Sequence, residues 1–292
     1  MENIADKIEL GIEKCIPFYS SNDSDYRIHT AKGEVFLRDK KIVVGGLVRN
    51  GEAYLSENIN HLCDILKISK DFRIVIYEND SEDNTKDVLK KLADSNSKIQ
   101  YTSETNNRPM FGQVKNKERI TALAEYRNKV LETIKTQYSD FDYVIIVDLD
   151  FKQLPAKSLY NSFGHLANIQ DDCMGISGFT YEIKRMNENM TMLWNYDCWA
   201  HRSNWWHDLD YFQRLDIPVY SMYWFGYMTL PIGMTPYVVN SNFGAMAIYR
   251  LKDYIQGEYS DIDCEHVSFH YSLRSKLNHV MLANPSQVML CR

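Results

Sequence analysis

An α/β fold with a mainly parallel sheet flanked by helices is predicted by three features of this 292-residue sequence. Short apolar, β-branched runs recur, each stops at polar or acidic residues, and stretches of helical spacing lie between them. Strands that alternate with helices favour parallel pairing, and ligands of such sheets sit beyond the carboxyl ends of the strands. The polar strand ends are therefore where chemistry is expected.

Residues 1–40 read as an amphipathic helix carrying Ile4, Ile8, Ile12 and Cys15, then an irregular polar stretch at Ser20-Ser21-Asn22-Asp23-Ser24-Asp25. Lys41 to Val48 reads as a buried strand ending at Arg49-Asn50, and helical spacing resumes from Asn58 to Leu66. Phe72 to Tyr77 is a second strand, ending in the cluster Glu78 to Thr85, ahead of a helix with Val88, Leu89 and Leu92. A longer helix spans Glu118 to Gln137, and Tyr143 to Val147 is a third buried strand that stops at Asp148. Without an internal repeat, low-complexity tract or linker, 41–292 is expected to be one domain, with halves at 41–155 and 156–292. The second half is richer in aromatic residues.

Composition narrows the function. With 33 basic and 39 acidic side chains the net charge is -6, against the basic face that nucleic-acid binding requires. Aromatic residues make up 13% of the chain, the kind of surplus that marks a sugar or ligand cleft. Six cysteines without a CxxC pair indicate neither a zinc site nor a disulfide framework, so reduced thiols in a cytosol-like compartment are expected. The N-terminus lacks a signal-peptide core and no apolar stretch reaches the ~20 residues of a membrane span. A soluble cytoplasmic protein is expected, with at most peripheral membrane contact.

Asp148 and Asp150 flank Leu149 just past a strand, where two carboxylates suit a hard cation such as Mg2+ or Mn2+ bridging to phosphate oxygens. Solvated acids at a strand end are the plain alternative. In the Glu78 to Thr85 cluster, Ser81 or Asp83 serves as a helix cap, whereas Glu78 or Asp80 at the strand tip accepts hydrogen bonds from a base or ribose. Arg119 and Arg127 lie broadly on one side of their helix, suited either to surface ion pairs or to a diphosphate. Asn195 to Arg202 and Trp205-Trp206 gather aromatic and polar groups suited to a sugar or to core packing. Glu265 either caps the following helix or meets an acceptor hydroxyl. His266 and His270 lack a third ligand nearby, so zinc is not expected there; His279, which opens the last strand, is a candidate late ligand of the diphosphate metal.

Taken in order, Arg49-Asn50, Glu78-Asn79-Asp80-Ser81, Leu123-Ala124 with Arg127-Asn128, and Asp148-Leu149-Asp150 resemble the GT-A glycosyltransferases. Tyr196-Asp197, Asn240-Ser241-Asn242-Phe243-Gly244 and Cys264-Glu265-His266 extend the resemblance, which is narrower to the capsule-associated α-1,3-mannosyltransferase family. The resemblance implies a Rossmann-like GT-A fold, Mn2+ or Mg2+ at the aspartates, and transfer of a hexose from a GDP- or UDP-sugar to a glycan hydroxyl. It makes 41–155 the nucleotide-sugar half and 156–292 the acceptor half. Arg49, Glu78 and Asp80 fall at donor-nucleoside positions, Arg127 at a donor-phosphate position, Asp150 at the metal, and Asp148 at the metal or donor ribose. Glu265 takes the acidic acceptor-side position, and Asp197 joins it as a candidate catalytic residue. A nucleotidyltransferase acting on a sugar phosphate and a non-catalytic carbohydrate-binding protein are the competing readings.

Overall fold

The apolar run Lys41–Val48 forms strand β1, with both of its faces largely buried, as a parallel strand covered by helices requires. The computed structural model describes residues 4–112, 116–169, 172–187, 190–203 and 226–292. The chain divides into two units, one made of Met1–Leu37, Phe151–Ala247 and His279–Arg292, the other of Arg38–Asp150 and Ile248–Asn278.

In the second of these units, β1 pairs in parallel with β2 (Asp71–Asn79) on one side and β4 (Tyr143–Val147) on the other, and β2 pairs in parallel with β3 (Ile99–Glu104). The order β3-β2-β1-β4 brings the ends of β1, β2 and β4 to one edge, as the sequence pattern predicts. The crossovers are helices α3 (Leu55–Leu66), α4 (Thr85–Ser95) and α5 (Lys117–Gln137). Asn116 caps α5 by accepting the Arg119 N–H at 2.9 Å. α5 lies on β1 and β2, where Gly45 admits it: a methyl group there would come within 2.7 Å of Val130 Cγ1. Gly45 thus serves packing rather than a phosphate cradle. Helices α7 (Leu251–Tyr254) and α8 (Glu265–Leu277) complete this unit.

The first unit holds α1 (Ile4–Glu9), α2 (Asp23–Leu37), β5 (Phe151–Gln153), α6 (Ala156–Leu166), β6 (Cys173–Asn187), β7 (Met190–Asn195), β8 (Tyr237–Val239) and β10 (Val280–Cys291). Here β6 and β10 pair in parallel, β5 and β8 add to β10 antiparallel, and β7 folds back on β6. Strand β9 (Met246–Arg250) runs directly into α7. Among the described residues no disulfide joins the cysteines, and no helix is long and apolar enough to cross a membrane.

The polar stretch expected to be irregular is instead the start of a helix, because α2 begins at Asp23 and continues to Leu37. Its apolar periodicity is weak, and contact with α6 stabilises it instead. A methyl group at Gly33 would lie 1.7 Å from the Tyr160 carbonyl oxygen, and one at Gly164 would lie 1.8 Å from that of His29. The two backbones therefore touch. Asn161 Nδ2 adds donor contacts of 3.2 Å to Tyr26 O and Thr30 Oγ1, and the His29 and His165 rings stack at 3.9 Å. Gly164→Val is expected to destabilise the protein by about 2 kcal/mol or more through overpacking. Thermal unfolding checks this, and an unchanged midpoint would contradict the backbone contact.

Candidate functional site

The alternation that follows β4 aims two carboxylates away from the core. Leu149 is 1% exposed, its carbonyl accepts a 2.7 Å hydrogen bond from Asn58 Nδ2, and its side chain fills the space over Gly46, where a methyl group would be 2.7 Å from Leu149 Cγ. With Leu149 anchored inward, Asp148 and Asp150 project to the rim. The Asp148 side chain is 32% exposed and Asp150 is exposed.

Arg127 reaches Asp148 from α5. The guanidinium side chain is only 6% exposed; Nη2 donates to Asp148 Oδ1 at 3.0 Å and Nε donates to Glu265 Oε1 at 3.3 Å. Glu265 is the first residue of α8 and its side chain is 5% exposed. Burial opposes the Arg127 charge, but Asp148 and Glu265 outweigh it and hold the guanidinium protonated more firmly than usual. Loss of hydration raises the Asp148 pKa to about 6, with Asp150 and Glu265 adding to the rise and Arg127 opposing it. Asp148 and Asp150 therefore repel each other, and a cation between them would relieve that repulsion. His266, 3.8 Å from Glu265, is held neutral by burial first and by Arg127 and His270 next, so it adds no further charge to the cluster.

The segment leading to Glu265 is tied to α5 along its length. Asn128 donates from Nδ2 to Tyr259 O at 2.8 Å and accepts the Tyr259 N–H at 3.0 Å, while Asp261 accepts from Thr121 Oγ1 at 2.7 Å and pairs with Lys117 at 3.0 Å. In the sequence Asn128 stands beside Arg127 among the residues that carry the family resemblance.

The tips of β1 and β2 are stitched together by reciprocal hydrogen bonds. Asn50 N–H donates to Ser81 Oγ at 3.0 Å, and its amide oxygen accepts the Glu82 N–H at 2.8 Å. Glu52 N–H donates to Asp83, while its carboxylate accepts from Asn84 N and Nδ2 at 3.1 and 2.7 Å. The N-cap position of α4 is Asn84 rather than Ser81 or Asp83, although Asp83 Oδ1 does accept the Thr85 N–H at 3.0 Å. Glu78 is fully buried and accepts from the Ser81 N–H at 2.8 Å and from the Ser103 hydroxyl. Asp80 accepts from the backbone of residues 106–108, and Arg49 donates to the carbonyls of Arg108 and Pro109. Sequence reasoning missed Asn58, Ser103 and Arg108, since isolated polar residues carry no periodic signal.

The remaining candidates lie in the other unit. Asp197 Oδ2 accepts the Gly244 N–H at 2.9 Å, and Asn242 Nδ2 donates to Ser177 Oγ and Gly178 O at 2.9 and 2.8 Å. Arg202 is 1% exposed and donates to the carbonyls of Trp199 and His201. His279 is half-buried immediately before β10. Trp205 and Trp206 lie outside the described residues. Among the described residues no group of three or more His, Cys, Asp or Glu side chains is gathered to hold a metal.

Replacing Arg127 with Met is expected to cost about 3–5 kcal/mol by leaving Glu265 buried without its partner. The Arg127→Met/Glu265→Met pair is expected to recover much of that loss in urea unfolding. Strictly additive losses would contradict the ion pair.

Residues 43–208 match the sequence family described as cryptococcal mannosyltransferase 1. No curated protein matches the chain. Among solved structures, GalNAc-T7 with UDP, GalNAc and Mn2+ is similar at 13% identity and a TM-score of 0.53, over 86% of this chain and 44% of that one. A mycobacterial protein is similar at 12% identity and a TM-score of 0.50, over 90% and 71%. The mannosyltransferase PcManGT from Pyrobaculum calidifontis, in complex with GDP-Man and Mn2+, is similar at 12% identity and a TM-score of 0.49, over 93% of this chain and 65% of that one. The chain thus spans less than two thirds of the length of two of these three structures. Its mixed α/β architecture, with a mostly parallel sheet flanked by helices, is the GT-A glycosyltransferase fold.

Proposed function

This chain belongs to the family described as cryptococcal mannosyltransferase 1, and we propose that it moves a hexose, mannose by the family's name, from a nucleoside diphosphate sugar to a glycan hydroxyl with Mn2+ or Mg2+. The observation that carries this reading is the Arg127 guanidinium, buried between Asp148 at the strand end and Glu265 at the start of α8. A salt bridge that served stability alone would have little need of a second exposed carboxylate beside it. The likeness to GalNAc-T7, whose structure contains UDP and Mn2+, supports a nucleotide-binding use of the same fold.

Asp148 and Asp150 offer hard oxygen ligands, and their mutual repulsion fits a divalent cation. Bound there, the ion would neutralise charge on the departing diphosphate. The protein's own part is to fix the geometry in advance. Leu149 locks the spacing of the two aspartates from below, and Asn58 holds the Leu149 carbonyl. Arg127 orients Asp148 and supplies a permanent positive charge beneath the rim, where electrostatic stabilisation of developing negative charge counts most. Glu265, held by the same guanidinium, is the acceptor-side carboxylate that orients or deprotonates the attacking hydroxyl. Asp197 fixes the backbone at Gly244 in the acceptor half and shapes that surface.

Thermal-shift measurements with UDP-, GDP- and CMP-sugars, with and without Mn2+, test the reading. At least one donor is expected to stabilise the wild type only when Mn2+ is present, and the absence of any such shift would overturn the proposal. Asp150→Ala is expected to abolish the Mn2+ effect at unchanged intrinsic stability. Glu265→Gln is expected to keep donor binding while lowering turnover about 100-fold or more.

A further inference from the structure

Resting on the transferase reading above, we propose that Arg108 selects the base of the donor nucleotide, and that Asp80 and Arg49 act through it by holding its loop. Asp80 Oδ1 accepts the N–H groups of Asn106 and Asn107 at 2.7 and 2.9 Å. Asp80 Oδ2 accepts from Arg108 N at 3.4 Å and from Asn79 Nδ2 at 3.1 Å. Arg49 Nη1 donates to the carbonyls of Arg108 and Pro109 at 3.0 and 2.9 Å. One carboxylate and one guanidinium thus hold the backbone of four consecutive residues. Asp80 and Asn107 both adopt left-handed φ, 50° and 54°, conformations that non-glycine residues keep only when surrounding contacts enforce them. With both of its oxygens engaged, Asp80 is a poor direct acceptor for a base or ribose.

The clamp leaves the Arg108 side chain facing outward, 30% exposed. Its guanidinium lies over the Tyr126 ring at 5.5 Å and pairs with Glu125, which is half exposed. Tyr126 is itself fixed, stacked on Tyr77 at 5.3 Å and bonded through its hydroxyl to Asn79 Nδ2 at 3.2 Å. The support beneath Arg108 is therefore rigid, while its carboxylate partner is in water and readily exchanged for another acceptor. This arrangement stands beyond the adjacent ends of β3, β2 and β1, the edge where an α/β sheet receives its nucleotide.

A guanidinium presents a planar fork of N–H donors, and the guanine edge presents two neighbouring acceptors, O6 and N7, that match it. Uracil offers no such adjacent pair. The geometry thus favours a guanosine diphosphate donor over a uridine one.

Isothermal titration of the whole chain with GDP and with UDP, in saturating Mn2+, tests this. Wild type is expected to bind GDP more tightly, and Arg108→Lys, which keeps the charge but loses the fork, to weaken GDP about tenfold with UDP unchanged. Asp80→Asn is expected to erode the same preference, because it loosens the loop that carries Arg108. Wild type that binds UDP as well as GDP, or an Arg108→Lys protein that keeps the GDP preference, overturns this inference alone. Wild type that binds neither nucleotide overturns the transferase reading and the inference with it.

Discussion

A buried guanidinium must be surrounded by acceptors, and Arg127 meets that demand with one carboxylate from the end of β4 and one from the start of α8. Residues far apart in the chain become neighbours through this single side chain. Burial makes the arrangement demanding, because removing either acid leaves charge in a low-dielectric setting. The pair of ties between Asn128 and Tyr259, and those from Asp261 to Thr121 and Lys117, hold the α8 approach in place so that Glu265 can meet Arg127 at all. Stability and proposed catalysis draw on the same contacts here.

Much of the parallel-sheet fold was legible in the sequence because parallel strands buried on both faces leave unmistakable apolar runs. β1 and β4 have the expected boundaries, β2 is a residue or two longer at each end, and α5 begins one residue earlier. The aspartate pair was visible for the same reason, as the first polar residues after such a run. What the sequence hid was whatever depends on backbone contact. Helix α2 has little amphipathic pattern, and Gly33 and Gly164 reveal their purpose only when the two helix backbones are seen to touch.

The candidate site was legible in its residue types but less so in their tasks. Arg127 was expected at a donor phosphate, and the structure adds two carboxylate partners that a phosphate would have to share. Glu78 and Asp80, read as strand-tip acceptors, are occupied by Ser81, Ser103 and the backbone of residues 106–108. Hydrogen bonding between strand tips is long-range in sequence, so no local pattern foretold that these acids build the rim rather than stand free on it.

The proposed chemistry requires the rim at Asp148 and Asp150 to take a divalent ion together with a nucleoside diphosphate. Electron paramagnetic resonance of Mn2+ measures it directly, since the free ion gives a sharp six-line signal that is lost on binding. One ion is expected to bind per chain when GDP or UDP is present, with binding abolished in the Asp148→Asn/Asp150→Asn protein. An unchanged free-ion signal in the presence of both nucleotides, or equal binding by the double variant, would contradict it.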